Sequence, residues 1–202
     1  MLQVPLLESP DVRLEPLDPG HLDGLRRAAA DGDVWRKWTT HVPSPERMAE
    51  EIDRRLAQRD AGVLVPWTTC LPDGTPVGMT TYLNPDVPNR RLEIGATWLA
   101  ASAQATRVNP AAKLLQLERA FGVLDCIAVE FRTHWHNRQS RAAIERLGAK
   151  QDGVLRSHQL GPDGSLRDTV VYSITAAEWP AVRLGLLARL EPAPGTREGT
   201  GR

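Results

Sequence analysis

Residues 104–115 combine a well-marked helix start with features that suit a bound anion. Asn109 is a favoured N-cap residue and Pro110 suits the first helical position. Apolar residues then recur at helical spacing, at Leu114, Leu117, Phe121 and Leu124. A helix start carries free N–H groups and a partial positive charge, which favour an anion by about 0.3–1 kcal/mol. The segment therefore predicts a site for an anionic group.

Two cations lie in the same segment, where the field of the helix opposes them. Arg107 and Lys113 are disfavoured there by a similar amount, and a bound phosphate would remove that penalty. The small side chains of Ala111 and Ala112 would let a pyrophosphate approach the backbone closely. The alternative is that Lys113 simply extends to solvent.

A predicted strand, Arg90 to Ala100, precedes this helix, because apolar and polar residues alternate along it. A second strand and helix follow, from Ile127 to Thr133 and from Asn137 to Leu147. Elements that are adjacent in sequence usually lie side by side. We therefore expect the two strand–helix units to be neighbours in the fold.

The remaining pattern is rich in strands and helices with short connections. Two hairpins are predicted around the turn residues Pro72 to Thr75 and Gly161 to Gly164. The other predicted elements are a strand at Val12 to Leu17, helical segments at Pro19 to Trp38, a helix at Ser44 to Gln58 capped by Ser44, and a last helix at Glu178 to Leu190. We expect one domain over residues 1–190 and a disordered tail over 191–202.

Composition and charge exclude several classes of protein. Lys plus Arg equals Asp plus Glu at 25 each, so neither nucleic acid nor an anionic membrane is favoured as a partner. No stretch approaches the roughly 20 apolar residues that span a bilayer, and the N-terminus lacks a signal-peptide pattern, which predicts a cytoplasmic protein. Cys70 and Cys126 lie in apolar runs, and we expect buried free thiols rather than a disulfide or metal site.

Motifs along nearly the whole chain to about Leu190 resemble those of the GNAT superfamily of acyl-CoA-dependent N-acyltransferases, in its ribosomal-protein N-acetyltransferase (RimJ/RimL-like) branch. They are Val12-Arg-Leu-Glu-Pro-Leu17, Pro76-Val-Gly78, Glu93-Ile-Gly95, the helix start at Asn109 to Leu115, Asn137 to Ala149, Gly153-Val-Leu-Arg156, Asp168 to Ser173 and Glu178-Trp-Pro180. The resemblance implies an α/β fold with a central, mostly antiparallel twisted sheet, splayed at the CoA site and flanked by helices.

The resemblance also implies acetyl-CoA as co-substrate, without a metal. The phosphate loop of the superfamily, Gln/Arg-x-x-Gly-x-Gly/Ala, matches Gln104, Arg107 and Asn109, so both glycines are absent. The guanidinium of Arg107 could compensate by pairing with a phosphate. The implied CoA contacts are Trp98, Leu99, Gln104, Arg107, Asn109, Ala111, Lys113 and Asn137. In the family, backbone N–H groups at the strand end matching Trp98 and Leu99 stabilise the tetrahedral intermediate, while Asn137 would serve both pantetheine and its own helix as N-cap.

Two residues are candidates for proton transfer in the implied attack of an amine on a thioester. Glu93 borders the thioester in this fold and is the candidate base, and the alternative is a structural ion pair with Arg91 or Arg132. Ser140 is the candidate donor to the leaving thiolate, whose pKa is near ~8.5, and the alternative is a cap in the first helical turn.

The candidate acceptor-binding residues fall in two groups. Trp35, Trp38 and His41 lie in a variable segment of the family, although core packing explains the tryptophans equally well. Arg156, His158 and Asp168 belong to the second hairpin, where they could instead pair across the strands. His134 and His136 have no third ligand at metal-binding spacing, and we expect them to face solvent.

These residues predict direct transfer of an acetyl group to a primary amine, with a protein N-terminal α-amine as one acceptor. The alternatives are a small-molecule amine acetyltransferase, a succinyl-CoA-dependent enzyme and a non-catalytic acyl-CoA-binding module. A homodimer is expected from the branch and from the apolar residues of the last helix, which are Val182, Leu186, Leu187 and Leu190.

Overall fold

The structure is a computed structural model that describes residues 3–161 and 164–191. In this part of the chain, eight strands form one sheet in the order β1-β2-β3-β4-β5-β6-β8-β7. The strands are β1 (Leu7–Ser9), β2 (Val12–Pro16), β3 (Leu64–Cys70), β4 (Pro76–Asp86), β5 (Arg91–Leu99), β6 (Ala128–His134), β7 (Lys150–Leu160) and β8 (Leu166–Thr175). All neighbours pair antiparallel except β5 and β6, which are parallel.

Helices cover both faces of this sheet. They are α1 (Leu22–Ala30), α2 (Met48–Asp60), α3 (Val108–Glu118), α4 (Arg138–Glu145) and α5 (Trp179–Leu190). Tyr82 donates from its hydroxyl to the Gln116 carbonyl of α3, whereas the neighbouring Thr81 accepts from Arg55 of α2. Because adjacent strand residues point to opposite faces, α2 and α3 lie on opposite sides of the sheet. The predicted mixed, mostly antiparallel fold flanked by helices is confirmed.

The hairpins formed as their turn residues predict, but several helix starts differ. α3 begins at Val108 with Arg107 as N-cap and no side-chain capping bond, so Asn109 lies inside the first turn. α2 begins at Met48 after a 3-10 turn at Pro45–Arg47, and Ser44 makes no capping bond to the backbone. In the predicted segment from Pro19 to Trp38, α1 ends at Ala30 because Gly32 and Asp33 have φ of 69° and 49°.

The interior contains both cysteines and receives apolar side chains from α5. Cys70 and Cys126 are buried free thiols, as predicted. Leu186 is buried, and Val182 and Leu190 pack against the same core. The core therefore covers Leu186 fully but Val182 and Leu190 only in part, and an excess of apolar surface on α5 stays a prediction.

None of the helices in the described ranges is long and apolar enough to cross a membrane. The predicted tail at 191–202 lies outside the described residues, apart from the exposed Glu191.

Candidate active site

The sheet opens between β5 and β6. These strands pair over only three residue pairs, from Arg91 with Ala128 to Glu93 with Glu130. Where β5 leaves β6, its register against β4 also shifts, and Ala96 in this bulge has a φ of 46°. The strands therefore diverge beyond Glu93, and a cavity of about 620 Å³ occupies the opening.

The edge of β5 facing this opening presents unpaired backbone groups. Ala100 N donates to Val77 of β4, and successive N–H groups of a strand point to opposite edges. The Leu99 N–H therefore points into the opening, where β6 no longer pairs with β5. Trp98 also lines the cavity, and its indole N–H is buried with no partner in the described ranges. Leu99 is thus the better placed of the two predicted backbone donors.

Glu93 is buried at the point of divergence and lines the cavity. Asn84 Nδ2 donates to Glu93 Oε2 at 3.0 Å, and Arg132 Nε lies 3.7 Å from the same oxygen. Arg132 makes a closer contact with Glu130, at 2.9 Å, and Arg91 also pairs with Glu130 rather than with Glu93. The structural ion pair considered for Glu93 exists only as the longer contact of Arg132.

The surroundings of Glu93 suit a proton acceptor. Burial raises the pKa of its carboxyl group, against the opposing charge of Arg132 and the hydrogen bond from Asn84. Gly95 provides the space, because a Cβ there would lie 2.7 Å from Glu93 Oε1 and 2.8 Å from Leu83 Cδ1. A carboxyl group with a raised pKa beside a cavity is suited to accept a proton from a bound ligand.

Asn137 and Ser140 lie at the start of α4 and both line the cavity. Asn137 is the N-cap, as predicted, and its Oδ1 accepts from Ser140 N at 3.0 Å. This bond leaves the Asn137 side-chain N–H₂ free for a ligand. The Ser140 hydroxyl makes no hydrogen bond to another described residue, so the capping alternative for Ser140 does not hold.

A chain of hydrogen bonds crosses the end of the cavity near α3. Lys37 donates to Gln139, Gln139 donates to Gln104, and Gln104 donates to the Leu99 carbonyl, at 3.2, 3.1 and 2.8 Å. Gln104 and Asn109 both line the cavity, as expected for CoA contacts. This chain ties the loop before α3 to α4 across the opening.

The structure contradicts the predicted orientation of Arg107. Its Nε lies 3.0 Å from Asp11 Oδ1, its Nη2 donates to the Leu190 carbonyl at the end of α5, and it does not line the cavity. Ala111 is likewise buried in the core and does not line the cavity. Arg107 and Ala111 point away from the cavity because they pack on the side of α3 opposite Asn109 and Lys113.

Lys113 neither extends to solvent nor presents its charge at the helix start. Its ammonium is buried and donates to Thr80 Oγ1, Thr97 Oγ1 and Gln116 Oε1 at 3.0, 3.0 and 2.9 Å. An ammonium group has three donors, so none is left for a phosphate. Burial lowers the pKa of Lys113 to about 7. Lys113 instead braces the bulge of β5, although it also borders the cavity.

The predicted aromatic acceptor site is only partly assembled. His41 lines the cavity, but Trp35 and Trp38 do not. Trp35 packs against the core, and Trp38 is 71% exposed, with its ring 5.0 Å from that of His134. The expectation that His134 faces solvent is also wrong, since it is buried at the end of β6.

In the second hairpin, all three residues pair across the strands, as the structural alternative held, and His158 does so through Nδ1 with Thr169 Oγ1 at 3.1 Å. Arg156 Nε lies 2.6 Å from Asp168 Oδ2, and Ser157 N donates to the same carboxylate. Neither Arg156 nor Asp168 lines the cavity, whereas His158 does. A register shift between Leu155 and Gln159, with Ser157 at a φ of 47°, separates His158 from the pair.

Most of the cations that line the cavity are not predicted from the sequence. Apart from Lys113, these are Lys37, Arg54, Arg55, Arg132, Arg146, Arg167 and Arg189. Glu93 is the only carboxylate among the described lining residues. Because the cations come from separate elements, no local spacing signals them, and only the fold brings them to one place.

One cluster in the described ranges has metal-ligand geometry, formed by Glu15, His21 and Cys70. His21 already uses both ring nitrogens, with Glu15 Oε2 at 3.2 Å and Thr68 Oγ1 at 2.9 Å. Burial raises the pKa of the Cys70 thiol to about 12, which opposes formation of the thiolate that binds metals. The cluster lies outside the cavity.

Comparisons with known proteins agree with this geometry. The sequence profile of the acetyltransferase (GNAT) domain matches residues 11–150. The chain is 34% identical over 107 residues to "Putative ribosomal N-acetyltransferase YdaF" of Bacillus subtilis (strain 168). That alignment covers 53% of this chain and 57% of the relative, so the chain spans little more than half the length of this curated relative.

Two solved structures share the fold over nearly the whole chain. A GCN5-related N-acetyltransferase from Brucella melitensis is 26% identical with a TM-score of 0.86, covering 100% of this chain and 91% of that one. Mycobacterium smegmatis RimJ in complex with CoA-disulfide is 26% identical with a TM-score of 0.75, covering 92% and 93%. The resemblance inferred from the motifs is confirmed, and the chain belongs to the GNAT acetyltransferase family.

Proposed function

We propose that the protein transfers an acetyl group from acetyl-CoA to a primary amine by direct attack. One observation carries the proposal: β5 and β6 separate immediately after Glu93, and Glu93, Leu99 and Ser140 line the same cavity. A base, a backbone donor and a hydroxyl donor are the groups this reaction needs. The solved RimJ relative binds a CoA derivative, which supports a CoA thioester as the acetyl donor.

Glu93 is proposed to accept the proton of the amine, directly or through water. The attacking amine must be neutral, and a carboxylate whose pKa is raised by burial is a stronger base than one in water. Asn84 and Arg132 keep the ionised form accessible by their hydrogen bond and charge. The charge of Arg132 and the hydrogen bond from Asn84 therefore favour the ionised carboxylate, whereas burial favours its protonation.

The Leu99 N–H is proposed to stabilise the oxyanion of the tetrahedral intermediate. It is a fixed donor on a β-strand, so it needs no reorganisation when the charge develops. Ser140 is proposed to donate a proton to the departing thiolate, since its hydroxyl makes no bond to another described residue and lines the cavity. A thiolate of pKa near ~8.5 needs only a weak donor.

Neither cysteine supports a covalent acetyl-enzyme. Cys70 and Cys126 are buried and do not line the cavity. Burial raises the pKa of both thiols, that of Cys70 to about 12. A nucleophilic cysteine needs the opposite, a lowered pKa and access to the donor.

The proposed acceptor is an α-amine, as at a protein N-terminus, rather than a lysine side chain. An α-amine of pKa ~8 keeps a roughly 250-fold larger neutral fraction at pH 7 than an amine of pKa ~10.4. With one carboxylate as base, this difference favours the α-amine. A cytoplasmic location, predicted from the sequence composition, also stays a proposal. So does the homodimer, predicted from the resemblance and the apolar residues of α5, which light scattering at micromolar concentration tests.

Thiol release tests the function. Acetyl-CoA and succinyl-CoA are each supplied with a panel of peptides and small amines, and free CoA is measured, with Ser140→Ala as the matched variant. We expect acetyl-CoA-dependent release with peptides, and mass spectrometry should find the acetyl group on the N-terminus when an internal lysine is also present. CoA binding without release for any amine would instead indicate a non-catalytic binding module. Exclusive lysine modification would contradict the α-amine assignment.

A further inference from the structure

The wall of the cavity formed by the second hairpin contains a cation, Arg167, that forms no ion pair with the residues that the structure describes. Arg167 lies on β8 opposite Gln159 of β7, two residues from the Thr169 that pairs with the end of β6. It is half-buried, and together with His158 and Thr169 it lines the same cavity as Glu93. Arg167 therefore lies on the β6 and β8 side of the opening, whereas the proposed base Glu93 lies on β5.

Arg167 makes neither a hydrogen bond nor an ion pair with another described residue, and its Nε is buried without a partner. The neighbouring arginines differ. Arg55 pairs with Glu51 at 2.6 Å, and Arg132 pairs with Glu130 at 2.9 Å. A buried guanidinium N–H without an acceptor destabilises the protein, so a ligand that supplies an acceptor there gains affinity.

The anion that Arg167 would receive belongs to the acceptor rather than to CoA. Arg167 and Glu93 line the same cavity, and the negative charge of Glu93 opposes the lowering of the pKa of Arg167 by burial. The proposed CoA contacts Gln104 and Asn109 lie instead at the start of α3. A group held by Arg167 therefore sits near the amine that Glu93 deprotonates.

Building on the proposed function, we propose that Arg167 selects amine acceptors that carry a carboxylate close to the amine. A guanidinium offers two parallel N–H donors that match the two oxygens of a carboxylate. Glu93 attracts the cationic amine and Arg167 attracts the carboxylate, so the cavity recognises both charges of such a molecule at once. The carboxylate could be an acidic side chain near a peptide N-terminus or the α-carboxylate of a free amino acid.

Paired acceptors that differ only in charge test this inference. One pair of peptides has Asp or Asn as the second residue, and the other pair is a free amino acid and its amide. In the full chain, kcat/KM is measured by thiol release for the wild type, Arg167→Met, Arg167→Lys and the control Arg47→Met, whose side chain is exposed and pairs with Glu50. The pair that responds identifies the source of the carboxylate.

We expect the wild type to prefer the charged member of one pair at least ~10-fold, mainly through KM, and Arg167→Met to reduce the ratio to about 1. Arg167→Lys should restore part of the ratio, Arg47→Met should keep it, and raised salt should reduce it. A wild type without charge preference, or an Arg167→Met variant that keeps the preference, would overturn the inference.

Calorimetry tests the carboxylate site independently of acyl transfer. The same peptides are titrated into the CoA-bound wild type and Arg167→Met. Tighter binding of the Asp peptide to the wild type alone supports the carboxylate site even where no acyl transfer occurs, and equal binding of both peptides counts against it. Absence of transfer for every amine would contradict only the proposed function.

Discussion

Lys113 should make the stability of the protein depend on pH in a range where few other groups titrate. Its ammonium is buried, and burial lowers its pKa from 10.5 to about 7. On unfolding, the pKa returns to that of a solvated lysine, so between pH 7 and 10 the unfolded chain binds more protons than the folded one. The contribution of Lys113 to the free energy of unfolding therefore rises with pH across this range.

The magnitude follows from the two pKa values. Each pH unit with full proton uptake on unfolding contributes about 1.4 kcal/mol, and at pH 7 roughly half of the folded protein already holds the proton. From pH 7 to pH 9, the contribution of Lys113 sums to about 2 kcal/mol. In Lys113→Met this contribution is absent, while the loss of a donor for Thr80, Thr97 and Gln116 adds an offset that does not depend on pH.

Urea denaturation at several pH values between 7 and 9 measures this difference. The free energy of unfolding of the wild type minus that of Lys113→Met should increase by about 2 kcal/mol over the range. Lys150→Met is the control: its amine is exposed and its pKa is raised by Glu178, so its contribution is constant while the pH stays below the pKa of a solvated lysine. Parallel pH profiles for the wild type and Lys113→Met would refute a lowered pKa for the buried amine.

Three further predictions concern the cavity. Ser140→Ala should lower kcat by ~10²–10⁴ with little change in acetyl-CoA affinity measured by calorimetry, and unchanged turnover would exclude Ser140 as the donor. In the wild type, kcat/KM should rise with pH as the Glu93 carboxyl group, whose pKa is raised by burial, ionises. Glu93→Gln should remove this rise, and a pH–rate profile identical to that of the wild type would show that Glu93 has only a structural role. Arg107→Gln should leave CoA affinity within about twofold, since its side chain contacts Asp11 and Leu190, and a loss above ~10-fold in calorimetry would return it to the phosphate site.

Local chemistry predicted the elements better than it predicted side-chain directions. The turn at Pro72 to Thr75 connects paired strands because Pro, Gly and Asp act within a few residues, and the strands on either side of the second predicted turn also pair. Asn137 caps α4 for the same reason. Lys113 was placed wrongly because the bulge of β5 that receives its amine arises from the register between β4 and β5, which no local pattern encodes.

The acceptor side shows the same limit. Trp35 and Trp38 do not line the cavity. Gly32 and Asp33, which have positive φ, turn the chain just before them, so helical spacing does not set the direction of their rings. Asp33 is a non-glycine residue in the left-handed region, which sequence patterns rarely indicate. Arg167 gave no signal at all, since its importance depends on Glu93, 74 positions earlier in the chain, being its neighbour across the opening.

The short ladder between β5 and β6 also divides the sheet mechanically. Strands β1 to β5 form one half and β6, β8 and β7 the other, and three residue pairs join them. Each half keeps its own antiparallel ladders, so the two can separate at this junction without either losing its internal hydrogen bonds. A ligand that contacts Leu99 on one rim and Asn137 on the other would hold the halves together. Amide hydrogen exchange in β5 and β6 should then slow together on CoA binding, because the bound ligand would stabilise the junction between the two halves of the sheet.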